Sequence, residues 1–436
     1  MAIFGGFSQS TPLNRWEPLL VKGATTIMTG ITKAILVALL LSTLFGTATL
    51  ANTINAASCS QTAVQTAINS ASSGDTVTVP GGSCTWNTVV TISASQQITL
   101  NGQGSTTITW GSSGGLTVTT GSTANTYITG FTFDGSFTNG NCPIGLVTNS
   151  SPLTQTFRFY DNTLDGGNPG APGTFICVNG NGPGLFDHNS FTTHNGADEM
   201  LHLLGLGASN SAGWTDLVPP GGSNMVFIED NTFTCSASTL CSAWESYYGA
   251  RLVGRHNTFY NAQTDAHGGG GIGTRWWELY NNNWPNGNAG MCERAGSGVI
   301  FNNTNASNIM MLQETGTYPA NYQVGRGQNE TLDPAYVWSN GSIPLQLNTT
   351  GCAPPEANMV QLNRDVYNAG TGTVLPGSCN PSAGFWNTNT NTLYTCTTTN
   401  TWTAYYTPYT YPHPLTQGVS DPPPVTPPTN MQTSAR

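Results

Sequence analysis

Charged side chains make up only 7% of this 436-residue chain, so the places where they gather are informative. Arg251, Arg255, Arg275, Arg294 and Arg326 crowd into one stretch, with Asp265 and His267 among them and a run of glycines from Gly268 to Gly271 directly after. Glu245, Tyr247 and Tyr248 lie just upstream. These residue types suit acid–base chemistry on an anion. An arginine fork matches a carboxylate. His267, Tyr247 or an arginine can take a proton, and a second group can assist a departing oxygen. Hydrolysis of a glycosidic bond would instead need two facing carboxylates, for which Asp265, Glu245 and Glu278 are available. Arg251, His267, Asp265 and Arg275 are therefore the candidate catalytic residues, and Glu245 and Tyr247 the candidate ligand contacts. The competing account is that the arginines pair with Glu245, Asp265 and Glu278 and fasten loops.

A second cluster runs FDHNSFTTH over 186–194, followed by Asp198, Glu199 and His202. His188 and His194 are candidate ligand contacts there, although His188, Asp230 and His256 equally read as a polar stripe at a repeated turn. Trp214, Trp244, Trp276 and Trp277 fall near insertions, and flat rings stack on sugar faces. Trp244 and Trp276 are the candidate platforms, with core packing as the alternative.

These residues must be positioned by something regular, and the sequence contains a repeat. Six segments share a pattern of apolar residues, a polar residue, Asn, one residue, then usually a large apolar side chain. They are FYDNTL (159–164), FDHNSF (186–191), IEDNTF (228–233), GRHNTF (254–259), LYNNNW (279–284) and IFNNTN (300–305). The Asn-to-Asn steps are 27, 42, 26, 25 and 21 residues. A period in the twenties signals stacked coils, none of which buries its apolar face alone. Leu164, Phe191, Phe233, Phe259 and Trp284 should form one interior column. The repeated Asn should sit at a bend, tolerate αL geometry and bond to its equivalent about 4.8 Å away. Arg251 and Arg275 should then lie within about 10 Å on adjacent coils. Their offsets from the repeat Asn differ by one residue, so if Trp276 stands opposite Arg251 instead, Arg275 becomes a fastener of loops.

Earlier segments alternate with period two: 98–100, 107–109, 116–118 and 128–133. Before them Val64, Ala67, Ile68 and Ala71 are spaced for a short amphipathic helix covering the end of the stack. Ala67 and Ile68, GDTVTVPGGSCTW (74–86) and ITLNGQG (98–104), continued by the Asn-x-Phe coils, resemble the pectin-lyase-like right-handed parallel β-helices over about residues 59–310. The 186–194 stretch resembles part of the pectate lyases, but without Arg-x-Pro-x-x-Arg. The resemblance implies an all-β, single-stranded right-handed parallel β-helix with an N-terminal helical cap. It also implies an extracellular polysaccharide as partner. A lyase or hydrolase of anionic or plant-type glycans is expected, with a non-catalytic glycan-binding or adhesive surface protein as the alternative, because the superfamily contains both.

Residues 1–51 read as a targeting segment, with Lys33, an apolar run from Ala34 to Phe45, small residues up to Ala51 and a possible true start at Met28. Residues 52–310 read as the β-helix, 311–417 as a loop-rich region with a small β-meander capping the C-terminal end, and 418–436 as a Pro-rich tail. All ten cysteines follow the targeting segment, which implies disulfides and a secreted or cell-surface location. Proximity pairs Cys59 with Cys84, Cys235 with Cys241 and Cys379 with Cys396. No C-x-x-C occurs, so zinc is not expected; no compact set of aspartates is present, so calcium is an alternative without support, and no cofactor is expected. Beyond residue 51 there is no lysine, and eight arginines face twenty acids. That balance excludes nucleic-acid binding, and no membrane span is expected once the targeting segment is removed.

Overall fold

The computed structural model describes residues 51–121, 124–135, 142–148, 156–166, 174–194, 199–206, 214, 218–236, 241–268, 272–314, 324–327, 331–356 and 359–417. The targeting segment up to residue 50, Asp198 and the Pro-rich tail lie outside them. The described chain is nearly all β, in one seventeen-stranded sheet, one ten-stranded sheet and one of four strands. The two large sheets are parallel, each strand pairing with one a coil later, which is consistent with the β-helix expectation.

In the first sheet Ile128, Phe159, Phe186, Ile228, Gly254, Leu279, Ile300 and Val337 stand in one register column. In the second sheet Leu116, Ile144, Ile176, Leu201, Trp244, Thr264, Met291, Ile309 and Leu345 do the same. Gly254 interrupts a row of large residues because the Trp244 ring fills its place. A β-carbon there would come within 2.7 Å of that ring. Trp244 is thus a core side chain, and not a platform for sugars.

The expected aromatic column is present. Leu164 pairs with Phe191, Phe191 with Phe233 and Phe233 with Phe259, and the Phe259 ring stacks on Trp284 at 4.5 Å. All five are fully buried. The asparagines form a continuous ladder from Asn162 to Asn340. Each side-chain amide donates to the carboxamide oxygen of the next at 3.0–3.3 Å. Each asparagine's backbone N–H reaches that same oxygen at 2.9–3.1 Å. The αL bend is made by the residue before the asparagine, not by the asparagine itself. Asp161, His188, Asp230, His256, Asn281, Asn302 and Ser339 all have φ between 52° and 58°. The amide is thereby free to point inward while its neighbour absorbs the backbone strain.

Helix α1, Gln61–Ser70, starts at Ser60, whose hydroxyl accepts from the Ala63 N–H, and buries Val64, Ala67 and Ile68. Ala71 lies just past its end. Parallel pairing runs on past residue 310 through Ala335–Trp338 and Val366–Asn368. The sequence signal had faded there because Ser342, not a large apolar residue, follows Asn340.

The three strands Gly384–Asn387, Thr392–Thr398 and Thr401–Tyr406 form the expected antiparallel meander. Its position differs from the expected end cap. Trp386 stacks on Trp338 and packs on Phe301, side chains on the outer flank of the first sheet. The following residues then run back across earlier coils. Tyr406 donates to Glu278, Arg255 donates to the carbonyls of Tyr409 and Thr410, and the His413 N–H donates to Glu229. Outward apolar residues on that flank (Leu185, Phe227, Val253, Trp276 and Tyr280) required a cover, and the C-terminal segment supplies one. All ten cysteines are paired. The three expected bridges are present, together with Cys142–Cys177 and Cys292–Cys352.

Two outcomes follow. Asn231→Ala removes two acceptor and three donor interactions from a site that is 1% exposed. Chemical denaturation is expected to show a loss of about 3 kcal/mol or more, since each orphaned buried group costs about 1–3 kcal/mol. Burial, then the Arg255 charge, pushes the His413 ring down to about 4. The unfolded chain binds this proton below about 6.5 and the folded chain does not, so stability is complete above that pH and declines as pH falls towards 4. Thermal melting of His413→Gln is expected to fall less steeply than the parent between pH 7 and 5.

Candidate active site

The outward side chains of the second sheet carry a dense cluster of charge. His202, Glu245 and Asp265 occupy one register column across the strands Glu199–Leu203, Cys241–Ser246 and Ala262–Ala266. They face outward because Leu201, Trp244 and Thr264, one position earlier, stand in the core column. Arg294 follows the next strand, Met291–Glu293, and reaches back over them. Its Nε and Nη2 donate to Asp265 at 3.0 and 2.8 Å, Nη2 also donates to Glu245 at 2.9 Å, and Nη1 donates to Glu314 at 2.9 Å. Three carboxylates take four of the five guanidinium N–H groups.

The rim is half-buried. His267 Nε2 lies 3.4 Å from Glu245 Oε1, and its ring stacks on Tyr247 with centroids 4.2 Å apart. Tyr247 also packs against His202 at 4.9 Å, and His202 Nδ1 lies 3.6 Å from Glu199. The bend that presents these groups is held by backbone bonds. The Tyr247 N–H donates to Leu203 O, Tyr248 N–H to Ile272 O, and His267 N–H to Ser246 O.

Burial dominates the electrostatics. It lifts the Glu245 carboxyl, and Glu199 adds to the effect, so that against the pull of Arg294 the group is pushed up to about 8. Burial lifts Asp265 to about 7 despite its bidentate pairing. Burial, then Arg294 and His202, pushes His267 down to about 3, so its ring is neutral. Burial, then Glu245 and Glu199, holds the Tyr247 phenol well above its ordinary range and therefore protonated. Burial works against the Arg294 charge, but Asp265, Glu245 and Glu314 outweigh it and raise its pKa. Glu293, 1% exposed and without a hydrogen-bond partner on either oxygen, is raised far above the carboxylate range by burial and then by Asp265.

The structure thus brings together Asp265, His267, Glu245 and Tyr247 from the sequence expectation, with Glu199 and His202 from the second cluster. The two arginines are close along the backbone, with the Arg275 N–H donating to Ala250 O, but they are not paired in register. Arg251 begins a strand of the first sheet, in register with Trp276 rather than Arg275. Arg275 pairs with Asp333 at 3.1 Å and lies under the Trp214 ring, and so serves as the fastener. Arg255 with Glu229, and Arg326 with Asp365, likewise tie segments together. His188 makes an αL bend and bonds to Asp187, while His194 bridges Asp165 and Ser236. Both belong to the Asn-bend side of the coils, away from the second-sheet column. Trp276 is buried beside Glu278, and Trp214, Trp244 and Trp277 are buried too, so none offers a platform. Arg294 stood in the sequence cluster without a role, and Glu314 and Glu293 were missed. Aligning the second-sheet rows WESY (244–247), TDAH (264–267) and MCER (291–294) would have exposed the column, but no residue recurs at any one position of those rows.

No family model matches the chain, and no curated protein matches it. Among solved structures it is similar to the PL6 family alginate lyase AlyGC, at 12% identity and a TM-score of 0.34, over 86% of this chain and 60% of that one. It is also similar to a mutant of that lyase, at 14% identity and a TM-score of 0.36, over 86% of this chain and 59% of that one. The chain spans about three-fifths of the length of the structures it matches.

Removing Arg294 would leave Asp265, Glu245 and Glu314 without their shared cation. Arg294→Ala is expected to lower the unfolding free energy by about 3–5 kcal/mol, the usual cost of breaking a buried ion pair from one side. Denaturant titration at pH 7.5 checks this.

Proposed function

We propose that the chain is an exported, right-handed parallel β-helix, capped by α1, that cleaves an extracellular anionic polysaccharide by β-elimination on the outer face of its second sheet. The observation that carries the reading is the neutral His267 ring stacked on the protonated Tyr247 phenol, at the half-buried rim of the second-sheet acid–base cluster. In the proposed step His267 takes the proton on the carbon next to the uronate carboxylate. The released electron pair forms a carbon–carbon double bond and expels the glycosidic oxygen, which receives the Tyr247 proton. Glu245 and Asp265, locked by Arg294, position these two groups. Arg251 and Arg275 take no part in the chemistry. Export is supported by the signal-like segment and five disulfides. No helix among the described residues is long and apolar enough to cross a membrane.

One observation favours hydrolysis as a second reading. Glu245, pushed up to about 8, and Asp265 share the Arg294 Nη2 at 2.9 and 2.8 Å. A raised carboxyl beside a second carboxylate is the acid–base pattern of glycosidases. The adhesive reading loses its expected platforms, because all four tryptophans are buried.

A screen of the secreted protein against alginates, pectins and plant glycans, following absorbance at 235 nm and reducing ends together, separates these readings. Elimination raises both signals, hydrolysis only the second and binding neither. On the substrate found, His267→Ala and Tyr247→Phe are each expected to lower kcat by about 100-fold or more, the scale of acid–base assistance. Unchanged turnover in both would refute the assignment.

A further inference from the structure

Beside the Arg294 network, and sharing Glu245 with it, lies a second arrangement whose Glu199 and His202 the elimination chemistry does not use. One ligand atom from each of Glu199, His202 and Glu245 lies within 4.8 Å of the other two. Glu245 spends Oε1 on Arg294 and His267. Its Oε2 is buried, has no hydrogen-bond partner, and belongs to a residue only 5% exposed. Two carboxylates face one another here, since Glu199 and Glu245 each offer an oxygen to the same cluster within 4.8 Å. The buried Nε2 of His202 also has no hydrogen-bond partner. Unpartnered acceptors of both kinds in one buried place are costly unless something positive joins them.

We propose that Glu199, His202 and Glu245 form a site for a divalent transition-type cation of the zinc or manganese class. Imidazole nitrogen with two carboxylates suits those ions, whereas calcium and magnesium prefer shells made of oxygen. Three protein ligands leave coordination positions open, as in sites that also hold substrate. Glu199 and His202 are half-buried, so the ion has a route in from solvent. His202 packs on Tyr247, so an ion here lies beside the Tyr247–His267 pair. It brings to a uronate carboxylate a positive charge beyond that of Arg294, which three carboxylates already neutralise. That role rests on the elimination reading, whereas the binding itself does not.

The test is isothermal titration calorimetry of the full-length, EDTA-stripped and dialysed protein with zinc chloride alone. No cysteine is free to compete for the metal. One zinc per chain is expected, with a Kd of about 10 µM or tighter and calcium at least about 10-fold weaker. His202→Ala and Glu199→Gln are each expected to weaken zinc binding by about 10-fold or more, while melting in EDTA as the parent does. These two rim residues are chosen because changing Glu245 would disturb the buried ion pairs. The proposal is overturned by any of three results: no saturable binding up to about 1 mM zinc; parental affinity in both variants, which would place the metal on His188, His194 or His256; or calcium binding as tightly as zinc with His202 dispensable. Cleavage plays no part in this readout, so the metal site and the elimination reading fail separately.

Discussion

The structure depends on a buried amide meeting the same amide one coil away. From Asn189 to Asn340 each carboxamide oxygen accepts from a backbone N–H and a side-chain N–H, both of the asparagine before it, and the Asn162 oxygen accepts from the Phe131 N–H. A carboxamide is the neutral group that donates and accepts at once, so the row extends without leaving a group unpaired along its length. Because every coil must present its asparagine at one height, the ladder fixes the phase of each coil. An insertion is then confined to loops, as in the 42-residue step between Asn189 and Asn231. The aromatic column two residues further on inherits its register from the same constraint.

That phase is also what builds the charged cluster. His202, Glu245 and Asp265 come from strands separated by long loops, yet they align because the coils cannot slip. A slip of one residue would turn all three inward and bring Leu201, Trp244 and Thr264 to the surface. Arg294 then completes the group with four charge-assisted hydrogen bonds, each stronger than a neutral one.

The two sheets have opposite outer faces. On the first, apolar side chains and the Arg255–Glu229 pair lie beneath the protein's own C-terminal segment, whose backbone carbonyls satisfy Arg255. On the second, Glu245 Oε2 and His202 Nε2 have no such partner, and the rim carries Tyr247 and His267. Most arginines in this charge-poor chain act as rivets: Arg158 to Asp187, Arg275 to Asp333, Arg326 and Arg364 to Asp365.

The sequence by itself determined the coil repeat, the asparagine bend, the buried column from Leu164 to Trp284, helix α1, the meander and three of the five disulfides. Each is a local or periodic property, repeated often enough for spacing to reveal it. It also indicated Glu245, Tyr247, Asp265 and His267 as neighbours, because they fall in one charged stretch. Only the tertiary structure decided that Trp276 and not Arg275 stands opposite Arg251, since a single residue of offset reverses which side of a strand is exposed. Only it decided that Trp244 fills the space above Gly254, that the C-terminal segment covers the first sheet, and that Arg294 gathers three carboxylates from three coils. The hydrogen bonds among these contacts join residues 20 to 155 positions apart through loops of unequal length. No period in the sequence encodes such distances, and they arise only when stacked coils bring unrelated segments to the same height.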